Sequence, residues 1–293
     1  TASRKKARDF EPIEVLKLEA DISPDSKTEL REAFLRRSFS VTALNNFLEC
    51  PWKYFFRNLL LIPEPYEWSA MLGTACHNCL ERFHREAARG RVLSKSELKK
   101  LVAQCVEKQP FSSRDLPLAL EKAEENIFAY ASSFNLEKDN KMFVEESVEF
   151  PVQVPHKKGN FEILLTGKID LAVKSKAGLE LMDFKTKKKM TRNEIMGETK
   201  NSDGGYMRQL QFYKLLWENA RQGENVDMAS LVFLTPERGK IHKESFELGE
   251  SDKIRIEEMT LKVLREIYDF EFLKSGCALK DCDYCRMAAS FKA

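Results

Sequence analysis

The sequence predicts an α/β protein: a central mixed β-sheet flanked by helices, behind an N-terminal helical lobe and ahead of a cysteine-rich tail. Three observations carry this. Apolar residues recur at helical spacing up to about residue 140, they alternate with polar ones from about 142, and Cys277, Cys282 and Cys285 crowd into nine residues near the end.

Residues 1–37 open with Arg4, Lys5, Lys6 and Arg8, alternate around Ile13 to Leu18, and reach a helix-like Glu29 to Arg36. With no strong core of its own, this segment reads as a connector or the tail of a preceding domain. Ser40 or Thr42 can then cap a helix through Phe47 and Cys50, which Pro51 restarts at a first-turn position. Trp52, Phe55, Phe56, Leu59 and Leu60 form its buried side. Past Pro63 and Pro65, Leu72, Cys76, Cys79, Leu80 and Phe83 mark a helix from about Ser69 to Arg89, and further helices are expected at 94–108 and 117–135. Alternation then predicts three neighbouring strands, Phe143 to Val154, Phe161 to Lys174 and Leu179 to Lys185. A helix at 203–222, strands at 228–235 and 241–247, and a final helix at 251–274 complete the pattern. One domain thus spans 38–293, with the helical lobe at 38–140, the sheet core at 141–250, and the last helix and tail at 251–293.

The 293 residues carry 48 Lys+Arg against 46 Asp+Glu, a net charge of +2, so a polyanion must be held by local patches rather than by a uniformly basic surface. A hydrophobic content of 43% with 20 Phe excludes disorder of the whole chain. No apolar run approaches the roughly 20 residues of a membrane helix, and no signal segment opens the chain, which points to a soluble, cytoplasmic protein. Seven cysteines at irregular spacing argue for thiols or metal ligands rather than a disulfide frame.

Strand parity makes the sharpest local argument. Leu181, Asp183 and Lys185 share one face of their strand, so an acid and a base point the same way. With Lys176 and Ala177 at a hairpin tip, Ser175 faces Gly178, Lys174 faces Leu179, and Asp170 faces Asp183. Directly opposed residues have Cβ atoms about 5 Å apart, and two carboxylates that close repel unless a divalent cation neutralises them. Mg²⁺ or Mn²⁺ suits such ligands, and Lys185 beside the ion would orient water or offset charge on phosphate oxygens. The plainer alternative is that both acids are strand-end residues paired with Lys168 and Lys185 on the surface.

These residues also carry a family resemblance. Gly167-Lys168-Ile169-Asp170, Asp183-Phe184-Lys185-Thr186 and Gln209-Leu210-Gln211-Phe212-Tyr213, preceded by Gly73-Thr74-Ala75-Cys76-His77, resemble the PD-(D/E)xK nuclease superfamily in its RecB-like branch, over roughly 40–290. The resemblance implies a restriction-endonuclease-like core, metal binding by Asp170, Asp183 and His77, assistance from Lys185, and a site lined by Gln209 and Tyr213. Family members often add a glutamate from the preceding strand; Glu146 is the expected one, with Glu145 and Glu149 close enough to take its place. Ser40-Val41-Thr42-Ala43-Leu44 and Cys50-Pro51-Trp52-Lys53-Tyr54-Phe55 resemble the entry into nuclease domains of UvrD/Rep- and AddAB-type helicase-nucleases. That implies a DNA repair or recombination nuclease acting on single-stranded DNA, beside a helicase in the same longer chain or complex. No phosphate-binding GKT or GKS loop occurs, so these residues are not the motor. A nuclease fold kept only as an inactive DNA-binding or scaffold module is the alternative.

His84, seven residues after His77, reads as structural, and Cys76, Cys79 and Cys105 as buried small side chains. In iron–sulfur members of the resembling family one cysteine precedes the core and three follow it, which implies a [4Fe-4S] cluster on Cys50, Cys277, Cys282 and Cys285. Zinc or free thiols are the alternatives. One departure stands out: Phe291 occupies the place of the family's last cysteine. Lys185, Lys187, Lys188, Lys189 and Arg192, with no acid among them, form a basic run next to the proposed site that can steer phosphates, and Arg208 extends it.

Overall fold

Five strands make one sheet in the order β1 to β5: β1 (Lys141–Val154), β2 (Phe161–Ser175), β3 (Gly178–Lys185), β4 (Met228–Glu237) and β5 (Lys240–Glu247). All neighbours are antiparallel except β3 and β4, so the sheet is mixed, as expected. The structure is a computed structural model and describes residues 24–290 except 136, 138, 275, 279 and 280. The basic opening of the chain, the Ile13 to Leu18 stretch and Phe291 lie outside the described residues.

The parallel pair requires a crossover, and residues 186–227 supply it. They hold a five-residue helix α7 (Arg192–Met196) and the longer α8 (Gly205–Ala220), counting after six earlier helices. Those six are α1 (Pro24–Leu35), α2 (Val41–Glu49), α3 (Pro51–Tyr54, prolonged by a π-turn at Phe55–Leu59), α4 (Trp68–Ala88), α5 (Lys95–Glu107) and α6 (Leu116–Ser133). Ser40 caps α2 by accepting from Ala43 N at 3.3 Å, and Pro51 opens α3 at a position whose N–H would have no helical partner. The final helix is shorter than its sequence pattern. α9 (Glu250–Asp269) stops where Phe270 turns left-handed at φ 58°, a 3₁₀ turn follows at Glu271–Lys274, and the tail forms its own helix α10 (Asp283–Ser290).

The helical stretch 38–140 divides between the two faces of the sheet. Leu44, Trp52 and Phe56 of α2 and α3 pack with Ile163, Leu165 and Ile169 of β2, Phe212 and Trp217 of α8, and Leu264 of α9 on one face. On the other, Leu72, Cys76, Leu80, Val102 and Ile127 of α4 to α6 cover Leu171, Phe184 and Leu234. Each fully buried Leu or Phe of this kind contributes about 1.5–3 kcal/mol of transfer free energy. Phe34 of α1 is 2% exposed and meets Phe161 edge-on at 6.2 Å, so this helix docks on the sheet layer.

One irregularity decides where the site lies. Along β1, Val148, Val152 and Val154 face the first core, whereas Met142 and Val144, of the same parity, face the second. β2 makes the same change between Ile169 and Leu171. The switch coincides with Glu145, held left-handed at φ 53°, the one position skipped in the ladder that pairs Val144 with Leu171 and Glu146 with Ile169. Glu145 and Asp170 therefore lie across from each other where both strands turn over.

Candidate active site

The β2–β3 hairpin has the predicted register, Ser175 opposite Gly178 and Lys174 opposite Leu179, and its ladder runs to Leu171 opposite Met182. Asp170 and Asp183 are the next pair outward. The backbone N–H of Phe184 donates to Asp170 Oδ2 at 2.7 Å, so a carboxylate takes over where the ladder ends. Both acids are buried, at 8% and 3% exposure, and neither is the exposed surface partner of the plainer reading.

His77 reaches them from α4. Its Nδ1 lies 3.3 Å from Asp170 Oδ1 and 4.0 Å from Glu145 Oε1, while Nε2 contacts the Phe184 carbonyl oxygen at 3.1 Å. Gly73, one turn earlier, permits this approach: a Cβ there would stand 3.3 Å from Thr186 Oγ1, just past β3. Gly167 does the same for α8, since its Cβ would come within 2.6 Å of Leu216 Cδ1 and 3.3 Å of the Tyr213 ring.

The glutamate is a correction. Glu146 lies opposite Ile169 and pairs with Arg221, whose guanidinium stacks on Phe143 and Trp217 away from the acids. Glu149 is exposed. Glu145 takes the place, its Oε2 2.6 Å from Lys168 Nζ. Parity held the missed signal: Val148, Phe150 and Val152 share a face with Ile163, Leu165 and Ile169, which puts Asp170 on the face of an odd-numbered β1 residue.

Beside these groups a second network joins β3 to α8. Lys185 Nζ lies 2.6 Å from Asp183 Oδ2 and donates to Gln209 Oε1 at 2.8 Å; Gln209 Nε2 donates to Asp183 Oδ1 at 2.8 Å and to the Tyr213 hydroxyl at 2.9 Å. Gln209 thus spends its carbonyl and both amide hydrogens on holding the lysine, the acid and the tyrosine. Asp183 Oδ2 is buried and accepts no hydrogen bond, its contact with Lys185 being an ion pair without hydrogen-bond directionality.

Burial pushes the Asp183 carboxyl up to about 6 against the pull of Lys185, and the neighbouring Asp170 adds to the rise. Burial works against a cation at His77, yet the hydrogen bond to Asp170 and the charges of Asp170, Asp183 and Glu145 raise it above the ordinary histidine value. Glu145 is raised by burial despite Lys168. Burial opposes the Lys185 cation, but Asp183 outweighs it and holds the ammonium above its usual value. Four groups that favour an added positive charge or proton describe a pocket with excess negative charge. The donor chemistry fits a divalent cation: ligand atoms of His77, Glu145 and Asp170 lie within 4.8 Å of one another, with the buried Asp183 carboxylate adding to their negative charge.

Cys50, Cys277, Cys282 and Cys285 form a separate donor set. Cys50 is the extended residue between α2 and α3; its Sγ lies 3.5 Å from that of Cys282 and 3.7 Å from that of Cys285, which is 3.6 Å from Cys277 Sγ. All four sulfurs fall within 4.8 Å of one another. Cys76, Cys79 and Cys105 are buried in the second core, and His84, 1% exposed, contacts the Tyr130 hydroxyl at 2.8 Å with burial lowering its pKa to about 3.

The basic run is less free than its sequence. Lys189 pairs with Glu237 at 3.0 Å, and Arg192 with Glu244 at 2.8 Å while lying over Phe246. Arg208 pins the loop before α8, joining Asp203 to Asn45. Lys187 donates to the Tyr206 hydroxyl, and Lys188 is exposed.

The family model described as the PD-(D/E)XK nuclease superfamily matches residues 38–290. Among solved structures, the "Putative exonuclease" of Eubacterium rectale is similar at 13% identity with a TM-score of 0.51, covering 91% of this chain and 93% of its own; at that identity the likeness speaks for the fold. SSO0001 aligns at 16% identity over 76% of this chain and 85% of its own, with a TM-score of 0.26 that supports no argument. No curated protein sequence matches.

Proposed function

The chain belongs to the PD-(D/E)XK nuclease superfamily, and from that premise we propose that it is a divalent-metal-dependent deoxyribonuclease hydrolysing phosphodiester bonds. The carrying observation is the meeting of the His77, Glu145 and Asp170 donors with the Lys185, Asp183 and Gln209 network where the β1–β2 ladder skips a pair and the β2–β3 ladder ends.

His77, Glu145, Asp170 and Asp183 would hold Mg²⁺ or Mn²⁺. A bound divalent ion supplies a more acidic water and a counter-charge for phosphate oxygens. The residues do the rest. Lys185 stays cationic because Asp183 holds its proton, so it offsets negative charge on the phosphate and is poorly suited to act as a base. Gln209 fixes its direction, and the Tyr213 hydroxyl, raised well above its ordinary value by burial and the Asp183 charge, remains protonated at the wall of the site. Lys187 and Lys188 are the cations left to meet the strand, through backbone contacts with little base specificity.

Single-stranded DNA delivered by a helicase, in repair or recombination, is the substrate we propose, on the resemblance of the Ser40 to Leu44 and Cys50 to Phe55 segments. The test is cleavage of end-labelled single- and double-stranded DNA with Mg²⁺ or Mn²⁺. Wild type is expected to prefer the single strand, with activity lost in folded Asp183→Ala and Lys185→Ala. Robust cleavage by both variants defeats the assignment.

The four thiols are proposed to hold a structural metal centre, with no open position for hydrolysis. Three of their sulfur–sulfur separations, 3.5, 3.6 and 3.7 Å, are near the ~3.8 Å edge of a tetrahedron built on ~2.3 Å zinc–sulfur bonds, and all lie within 4.8 Å. A [4Fe-4S] cluster would need the sulfurs to move apart. Anaerobic absorbance with metal analysis separates the two: zinc without iron in a colourless protein ends the iron–sulfur reading.

A further inference from the structure

Tyr206 lies in the first turn of α8, three residues before Gln209 and seven before Tyr213, so the three project from one side of the helix. Its ring centre is 5.1 Å from Lys185 Nζ and 4.7 Å from Lys187 Nζ, and its hydroxyl accepts a hydrogen bond from Lys187 at 2.9 Å. Two ammonium groups are thus gathered on one side chain. Lys185 has Asp183 and Gln209 as further anchors, whereas the hydrogen bond of Lys187 goes to Tyr206 alone among those described.

We propose that Tyr206 is a positioning residue that couples strand binding at Lys187 to the placement of Lys185; the proposal rests on the nuclease reading above. The electron-rich ring attracts Lys185, the hydroxyl holds Lys187 beyond the ring edge, and the two cations repel each other across the side chain. A phosphate that engages Lys187 removes much of that repulsion. The hydroxyl serves Lys187, and the ring serves Lys185. Ring and hydroxyl therefore govern different kinetic quantities.

The test compares Tyr206→Phe, Tyr206→Leu, Lys187→Ala and the double variant Tyr206→Phe with Lys187→Ala. Affinity for a labelled single-stranded oligonucleotide is measured by anisotropy with Ca²⁺, and kcat and KM with Mg²⁺. Tyr206→Phe is expected to weaken binding and raise KM about threefold or more, with a smaller loss of kcat. Tyr206→Leu is expected to lose about tenfold in kcat as well, with melting temperature and Mn²⁺ affinity kept. The binding losses of Tyr206→Phe and Lys187→Ala should not add, because each removes the same contact. Equal kcat in the Phe and Leu variants, additive binding losses, or a kcat loss matched by a drop in melting temperature overturns the proposal. Should wild type bind the oligonucleotide but not cleave it, the nuclease reading fails, while the binding cycle still decides whether Tyr206 acts through Lys187.

Discussion

Asp183 shows what the site costs the fold. Its carboxyl sits at about 6 in the folded chain against an ordinary 3.8, so between those values the folded form holds a proton that the unfolded form has released. Stability contributed by this group is therefore lost as pH rises through that window. The raised His77 and Glu145 act in the same direction. Urea melts of the metal-free protein should accordingly show Asp183→Asn more stable than wild type at pH 7 by a few kcal/mol, with the gap closing toward pH 4. An equal gap at both pH values would contradict a carboxyl raised by burial. Glu145 and Glu146 separate just as cleanly. Glu145→Gln should weaken Mn²⁺ binding about tenfold or more by calorimetry, whereas Glu146→Gln, which loses a half-buried pair with Arg221, should change binding little and stability by about 1 kcal/mol or less.

At the scale of elements, the alternation of β2 and β3 made the Asp170 and Asp183 register legible, because a two-residue tip admits few pairings. The same alternation ruled out Glu146 by parity, a constraint that only counts once β1 is paired with β2. α7 was signalled by Thr191 and Glu194, whose reciprocal capping box is present, but five residues give too short a period to read. The partners within the basic run were not legible: Glu237 and Glu244, which pair with Lys189 and Arg192, come from β4 and β5, some fifty residues later, and are brought beside them only by the sheet. Glycines carry the approach of the helices. Gly167→Ala is expected to lower stability by about 1–3 kcal/mol, through overpacking against the fully buried Leu216, and to reduce kcat by displacing Tyr213; an unchanged melting temperature would show that α8 has room to spare.

Across the whole molecule, the site sits between two cores, reached by α4 from one face and α8 from the other, so neither layer alone can form it. The four thiols act at this scale. If they hold a metal, Cys50→Ser or removal of the metal by a strong chelator should lower the melting temperature by several degrees and leave the His77, Glu145 and Asp170 pocket able to bind Mn²⁺; loss of Mn²⁺ binding would mean the two centres are not independent. Cys50 and Cys282 stand 232 positions apart in the chain and 3.5 Å apart in space. A pull on the backbone from before residue 50, opposed by one from beyond residue 285, would part Phe39 from its bridge to Leu165 of β2 and then meet the sulfurs, leaving the pairing of the five strands with one another unloaded. A metal there would turn the domain into a closed link, able to transmit tension while its cutting site stays slack.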